Sequence, residues 1–354
     1  MKILDQYLMK QISLGVIVST LVLIPLFSFL DLVEQLDDVG TGFYQTEDAF
    51  IYVLLTIPRR FIQLAPFIAL MGNVTALGRL AIHHELISLR SAGFSPVNIS
   101  SASLKVGFLM VLFIIALEFV IAPTLQQRAI AFRAAALDQS TIAGSDLGIW
   151  SRNNQHIIRI ANLQHDTTTA GVEIINLDED GSVSEYISAE GFEIVSDDEW
   201  TLYNVTSKLI LDGEIISSRT NSMGWETFLE PDQISTLTKQ PESLSPIELY
   251  NYIKYLDNTG QESDVYELSL WRKPGEILTM LGMLLLSVPF VIGSVRTGFA
   301  NRLVMAGVTG IVVYLMGQIF SNAGLLLDLN PLLIALAPGT MLIWAARFWL
   351  GRVN

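Results

Sequence analysis

The feature that most constrains this chain is a set of six apolar stretches, each close to the length that crosses a bilayer. A helix rising 1.5 Å per residue needs about 20 mainly apolar residues to span hydrocarbon. Candidates fall at Ile12–Leu30, Phe61–Leu80, Val106–Ala122, Ile277–Ile292, Leu303–Phe320 and Leu332–Trp349. Any one of them taken alone also fits a buried core helix. Six together, with mean hydropathy +0.46 and only 16% charged residues, point to lipid as the solvent, since soluble chains carry roughly 25%. Pro25 interrupts the first stretch, which membrane helices tolerate. The amphipathic Ala49–Ile57 is expected to break at Pro58 before the second span, and Pro123 is expected to end the third. Met1–Lys10 leads into the first span with no small-residue cleavage site, so that span reads as retained.

Charge is distributed unevenly. The formal net charge is −14 over 354 residues. Residues 134–268 hold 24 Asp and Glu against 6 Lys and Arg, while the rest of the chain is mildly basic. The chain therefore reads as a polytopic α-helical membrane protein with an acidic soluble insert between its third and fourth spans. Acidity argues against nucleic acid as a partner. There is no cysteine, which excludes disulfides and Cys-based metal sites.

Lys and Arg set the expected orientation. Lys2, Lys10, Arg79, Arg90, Lys105, Arg296, Arg302, Arg347 and Arg352 fall on one side, and the opposite loops 31–50 and 321–331 carry no base. Both termini are then cytoplasmic and the insert faces outward, into the periplasm of a Gram-negative cell. The insert reads as β: Gln155–Ile160, Gly171–Asn176, Ser182–Ile187, Phe192–Val195, Trp200–Val205 and Lys208–Leu211 are short β-branched and aromatic runs. Turn signals at Asp178–Gly181, Ser196–Asp198 and Asp212–Gly213 separate them, a spacing that suggests a sandwich or jelly roll. Ser245-Pro246 with Glu248 then predicts a capped helix leading back to the membrane. The expected organisation is 1–133 (spans one to three), 134–268 (the β domain and return helix) and 269–354 (spans four to six).

No phosphate loop, nucleophile elbow or metal-spaced His pair occurs. His83 and His84 are adjacent, so on a helix they diverge by about 100° and cannot share one ion. His156 and His165 fall in the insert. The chain is expected to be non-catalytic, to bind no cofactor or metal, and to draw any energy from a partner. The segment 79–93 reads as a short amphipathic cytoplasmic helix carrying one acid, Glu85, and ended by Gly93 and Pro96. Such a helix either docks into a groove on a soluble partner or lies as a connector at the lipid interface.

Bases also gather where the charge bias disfavours them. Arg59 and Arg60 precede the second span, Arg128 and Arg133 follow the third, and Arg272 and Lys273 stand beside Trp271 before the fourth. They either anchor the helices by snorkelling, the reading favoured for Trp271 to Lys273, or form a ring of cations facing an anionic head group. Asp31 and Glu34 end the first span. Glu118 inside the third is either a functional intramembrane carboxylate or a solvated group near the outer interface.

Several segments carry a resemblance. Leu4-Asp5-Gln6-Tyr7-Leu8, Glu34-Gln35-Leu36 before Gly40-Thr41-Gly42, and Glu85-Leu86-Ile87-Ser88-Leu89-Arg90-Ser91-Ala92-Gly93-Phe94-Ser95 resemble the lipopolysaccharide-export permeases, the LptF/LptG family of ABC transporters. Trp150, the run Leu249–Leu256 with Gly260-Gln261, and Tyr314 with Gln318-Ile319-Phe320 are closer to its LptG branch. The resemblance covers nearly the whole chain. It implies a periplasmic β-jelly-roll and a heterodimer with an LptF-like permease. It also implies an LptB-like ATPase dimer that uses ATP and Mg, and an LptC-like single-span jelly-roll partner. The cargo it implies is lipopolysaccharide, taken from the outer leaflet of the inner membrane. Glu85 with Leu86, Leu89 and Arg90 would face the ATPase; Arg59, Arg60, Arg128 and Arg133 would face lipid phosphates. Where family members carry lysines near the end of the first span, this chain has Asp31, Asp37 and Asp38. Acids cannot ligate phosphate directly, and a divalent cation bridging carboxylate to phosphate is one way to keep the contact. A non-transporting scaffold is an alternative, as is a permease for another lipid or lipoprotein; the place of the insert after span three argues against lipoprotein-releasing permeases.

Overall fold

In a computed structural model of the chain, the structure describes residues 2–137, 149–153, 155–161, 170–178, 181–196, 199–211, 214–228, 239–293, 298–327 and 329–353. Two compact units emerge. One comprises Met1–Gln35, Val53–Gln126 and Asp264–Asn354, the other Leu36–Tyr52 and Gln127–Ser263.

The first unit is helical. Its elements are α1 (Lys2–Leu36), α2 (Thr46–Ile82), α3 (Glu85–Ser91), α4 (Pro96–Ala116), a π-helical turn at Leu117–Ile121, α5 (Ala122–Ala136), which continues into the second unit, and α7 (Asp264–Gly293), α8 (Phe299–Leu326) and α9 (Pro331–Val353). Among the described residues, six helical runs are long and apolar enough to cross a membrane, as the hydropathy pattern predicts. Two expected breaks do not occur. α2 runs unbroken through Pro58 and Pro66. The third run continues past Pro123 to Ala136. A proline ring clashes with the carbonyl four residues back. Widening the turn at Leu117–Ile121, where the Ala122 N–H donates to the Leu117 carbonyl, accommodates that clash without ending the helix.

With lipid tails as apolar as leucine, these helices associate through close packing and interhelical hydrogen bonds. At the α1–α2 crossing a Cβ on Gly15 would lie 2.3 Å from the Gly72 carbonyl oxygen, and one on Gly72 would lie 2.6 Å from Val16 Cα. Only glycine lets the two backbones meet. The α7–α9 crossing repeats the device at Gly275 and Gly339. Deep between α2, α4 and α7 the Asn73 Nδ2 donates to Ser103 Oγ (2.9 Å), Ser287 Oγ (2.6 Å) and the Leu284 carbonyl (3.2 Å), all in the buried core. α8 is different, with only 11% of its most apolar window buried, so its Val304, Val308, Ile311, Leu315 and Ile319 remain an apolar outer face.

The second unit holds the β domain: β1 (Ile149–Arg152), β2 (His156–Ala161), β3 (Gly171–Leu177), β4 (Val183–Ala189), β5 (Gly191–Ser196), β6 (Glu199–Leu211) and β7 (Glu214–Glu226), followed by α6 (Pro246–Asn258). The strands form one antiparallel sheet in the order β1-β2-β3-β4-β6, with β5 beside the first half of β6 and β7 along its other edge. Alternation buries one face. Ile158, Ile174 and Ile187 align across three strands, as do Ile160, Val172 and Ala189. The sheet curls, because His156 on β2 meets Trp225 on β7 at 6.1 Å between ring centroids although three strands separate them in the order. This is the all-β, jelly-roll-like domain that the sequence predicts, in half-barrel form.

Three details differ from the expectation. Residues 200–205 and 208–211 belong to one strand, bent at Asn204 (φ 52°). β1 and β7 have no counterpart among the expected strands. β7, rich in Ser, Thr and Asn, lacks the apolar alternation that marks a strand. His165 and Arg296, with part or all of each turn signal (residues 179–180, 197–198 and 212–213), lie outside the described residues. The capped helix is present, because Ser245 and Glu248 form a reciprocal capping box at the start of α6.

Candidate functional site

Adjacent Arg59 and Arg60 point in different directions because consecutive residues on a helix are rotated by about 100°. Arg60 reaches α1 and pairs with Asp31. Arg59 reaches the π-helical turn, where its Nη1 lies 3.1 Å from Glu118 Oε1. Lys273 on α7 pairs with the same carboxylate. The side chains of Arg59, Glu118 and Lys273 are 14%, 7% and 11% exposed. Glu276, one turn along α7 from Lys273, is half-buried and adds a second carboxylate within electrostatic range. Arg59, Glu118 and Lys273 therefore share one buried cluster joining α2, the α4–α5 run and α7, with Glu276 and Arg272 in electrostatic range.

These pairs bear on three readings of the sequence. Lys273 is not a snorkelling anchor at the interface, because its ammonium turns inward to Glu118. Glu118 is not solvated, and its charge is matched inside the protein. Arg59 and Arg60 are each paired with a carboxylate of the same unit, so an anionic head group would have to share them with Glu118 and Asp31. Burying a guanidinium or ammonium beside a carboxylate offsets the cost of desolvating each.

In the second unit, Arg133 on α5 pairs with Asp38, and its guanidinium lies 6.0 Å from the centre of the Tyr52 ring. Both partners of the ion pair are about one-third exposed. Tyr44, buried nearby, has its hydroxyl pKa pushed up by burial, with Arg133 pulling the other way. Arg128 and Asp37 are exposed. Asp31 and Asp38 thus each carry a basic partner, supplying the counter-charge that a bridging divalent cation would. Among the described residues no group of three His, Asp or Glu converges on a metal position.

At the α1 N-terminal end of the first unit, residues 79–93 are not one helix. α2 ends at Ile82, His84 takes a left-handed conformation (φ 60°), and α3 starts afresh at Glu85. The break puts Leu80 and His84 out of the helical register that the sequence suggests. α3 ends in a Schellman motif: Phe94 N–H donates to the Leu89 carbonyl, Gly93 N–H to that of Arg90, and Gly93 has φ 89°. Leu86 is 3% exposed and packs into the helical core, with Leu89 against it. These two leucines therefore hold α3 in place, while Ile87, Ser88 and Arg90 are exposed and Glu85 half-exposed. The Tyr7 hydroxyl donates to Glu85 Oε2 at 2.6 Å, and Lys105 pairs with Asp5 at 2.5 Å.

Residues 6–352 match the family model described as lipopolysaccharide export system permease LptF/LptG. The chain belongs to this LptF/LptG permease family. Among its relatives are the lipopolysaccharide export system permease protein LptG of Haemophilus influenzae, 32% identical over 352 residues, covering 99% of this chain and 98% of the relative. The LptG protein of Escherichia coli K12 is 29% identical over 340 residues, covering 95% and 94%. The chain is thus a multi-pass LptF/LptG permease of the LptG type. Its membership makes the buried Arg59–Glu118–Lys273 cluster a feature of a transport protein's helical unit. Sequence reasoning missed that cluster as a unit, and missed Tyr7 and Asn73. The available signal was Lys273 and Glu276 at a spacing of three inside an apolar helix, which puts both on one face.

Proposed function

We propose that this LptF/LptG-family chain is the LptG-type subunit of an ABC transporter that extracts lipopolysaccharide from the outer leaflet of the inner membrane and hands it to a periplasmic bridge. Its membrane helices would pair with an LptF-like permease, and an LptC-like protein would join through its single span. The unburied apolar faces of α1 and α8 are suited to such partners or to acyl chains. The termini and α3 would be cytoplasmic and the β domain of 134–268 periplasmic, between membrane segments 1–133 and 269–354. ATP and Mg would be used by a separate LptB-like dimer, and this chain would do no chemistry of its own.

The observation that carries this reading is α3. Seven residues fixed to the helical core by Leu86 leave Glu85, Ile87 and Arg90 accessible, the form a docking helix needs. Glu85 would be the coupling acid toward the ATPase. For the head group, exposed Arg128 is the base best placed to meet a phosphate, with Arg133 shared between Asp38 and cargo. The test is Glu85→Arg in the assembled transporter. ATP-driven lipopolysaccharide release should fall while the protein stays folded, and normal release would refute the assignment.

A further inference from the structure

α3 is joined to α1 as well as to the helical core. Glu85 stands 78 residues from Tyr7 in sequence, yet the phenol donates to its carboxylate at 2.6 Å, a hydrogen bond to a charged acceptor. The backbone is arranged for this contact. His84 takes a left-handed conformation that non-glycine residues rarely adopt, and it separates α2 from α3 directly before Glu85. A continuous helix would carry Glu85 on in the α2 register instead. A carboxylate accepts about four hydrogen bonds, so Tyr7 takes one position and leaves the others for a docking partner.

We infer that Tyr7 is a positioning residue for Glu85: it fixes the carboxylate and ties the seven-residue helix to the start of α1, so that movement of α3 is carried directly into the first membrane helix. The inference rests on the reading of α3 as the ATPase-docking helix and extends it to α1. α1 is suited to receive the movement. It meets α2 at the Gly15–Gly72 contact, and Asp31 pairs with Arg60 near its other end. A displacement applied at Tyr7 therefore acts on a lever with a fixed point near its middle.

The experiment uses the full transporter, reconstituted in vesicles containing lipopolysaccharide with cysteine-free partner subunits. This chain has no cysteine, so Ile3→Cys and Ser91→Cys, both at exposed positions and neither assigned to the docking face, take spin labels cleanly. Tyr7→Phe removes one hydroxyl and should broaden the distance distribution between the labels. It should leave ATP hydrolysis within about twofold and lower lipid released per ATP about tenfold, the factor expected for a lost charged hydrogen bond. Tyr7→Phe combined with Glu85→Gln should release no less than Glu85→Gln alone. An unchanged distance distribution in Tyr7→Phe overturns the positioning role, whatever the release assay gives. Normal release by Glu85→Arg instead overturns the docking reading beneath it, so the two failures are distinguishable.

Discussion

Glu118→Gln tests the buried charge cluster most directly. Glutamine keeps the shape of the side chain and removes its charge. Arg59 and Lys273, 14% and 11% exposed, then lose the carboxylate they share. Removing one partner of a buried ion pair costs ~3–5 kcal/mol, because the remaining charge stays desolvated. At roughly 2–4 °C per kcal/mol for a unit of this size, the melting temperature should fall by about 10 °C. Lys273→Gln in the same background removes one of the two buried cations left without that carboxylate. It should therefore recover most of the loss rather than add to it. Thermal unfolding in lipid nanodiscs, followed by tryptophan fluorescence, compares Glu118→Gln, Lys273→Gln alone and the double variant with the parent. A Glu118→Gln protein that melts with the parent, or a double variant whose loss is the sum of the singles, would refute the account of a closed charge balance.

Other consequences are equally specific. Gly72→Val places a methyl-bearing carbon 2.6 Å from Val16 Cα, so α1 must move away, at a cost of roughly 1–3 kcal/mol or more read as a lower melting temperature. Gly307→Ala, with nothing within 4 Å, should be neutral in the same assay. Asn73→Ala removes the hydrogen bonds that tie α2 to Ser103 on α4 and to Ser287 and the Leu284 carbonyl on α7, and should cost about 1–2 kcal/mol, measured by unfolding in the same nanodiscs. Burial alone would raise the Glu248 carboxyl pKa, but the Ser245 N–H and Lys239 outweigh it and hold it below the usual range. Its stabilising contribution is therefore present above its unfolded-state pKa and is lost as pH falls through the lower folded value. Amide-exchange protection factors across 246–258, which correct for the intrinsic pH dependence, should fall in the parent as pH drops below the ordinary carboxylate range, and Glu248→Gln should show reduced protection at neutral pH too.

The membrane helices were legible because hydropathy reports each residue's own solvent. A stretch such as Leu303–Phe320 is apolar whatever it packs against, and it appears inside α8. The β insert was legible where strands alternate, as in β2 to β4, and illegible in β7, whose exposed serines and threonines have no buried face to mark it. Proline misled twice. Pro58 and Pro123 look like helix ends in sequence, but a helix among other helices can satisfy or redistribute the freed backbone groups, here through the π-helical turn before Pro123.

The site divides along the same physical line. The order of apolar and charged residues determined that this is a six-span membrane chain with an acidic insert, because the free energy of moving side chains between water and lipid is nearly additive along a sequence. The local signature around Glu85 was sufficient to place the chain near its family. Charge partnership is different, because it depends on distance between residues far apart in the chain. Only the tertiary structure brought Arg59, Glu118 and Lys273 together from three helices, turned Arg60 to Asp31, and set Tyr7 against Glu85. Counted along the sequence these are bases and acids at membrane edges; folded, they are closed pairs. Electrostatic energy falls with separation, and the sequence does not contain the separations.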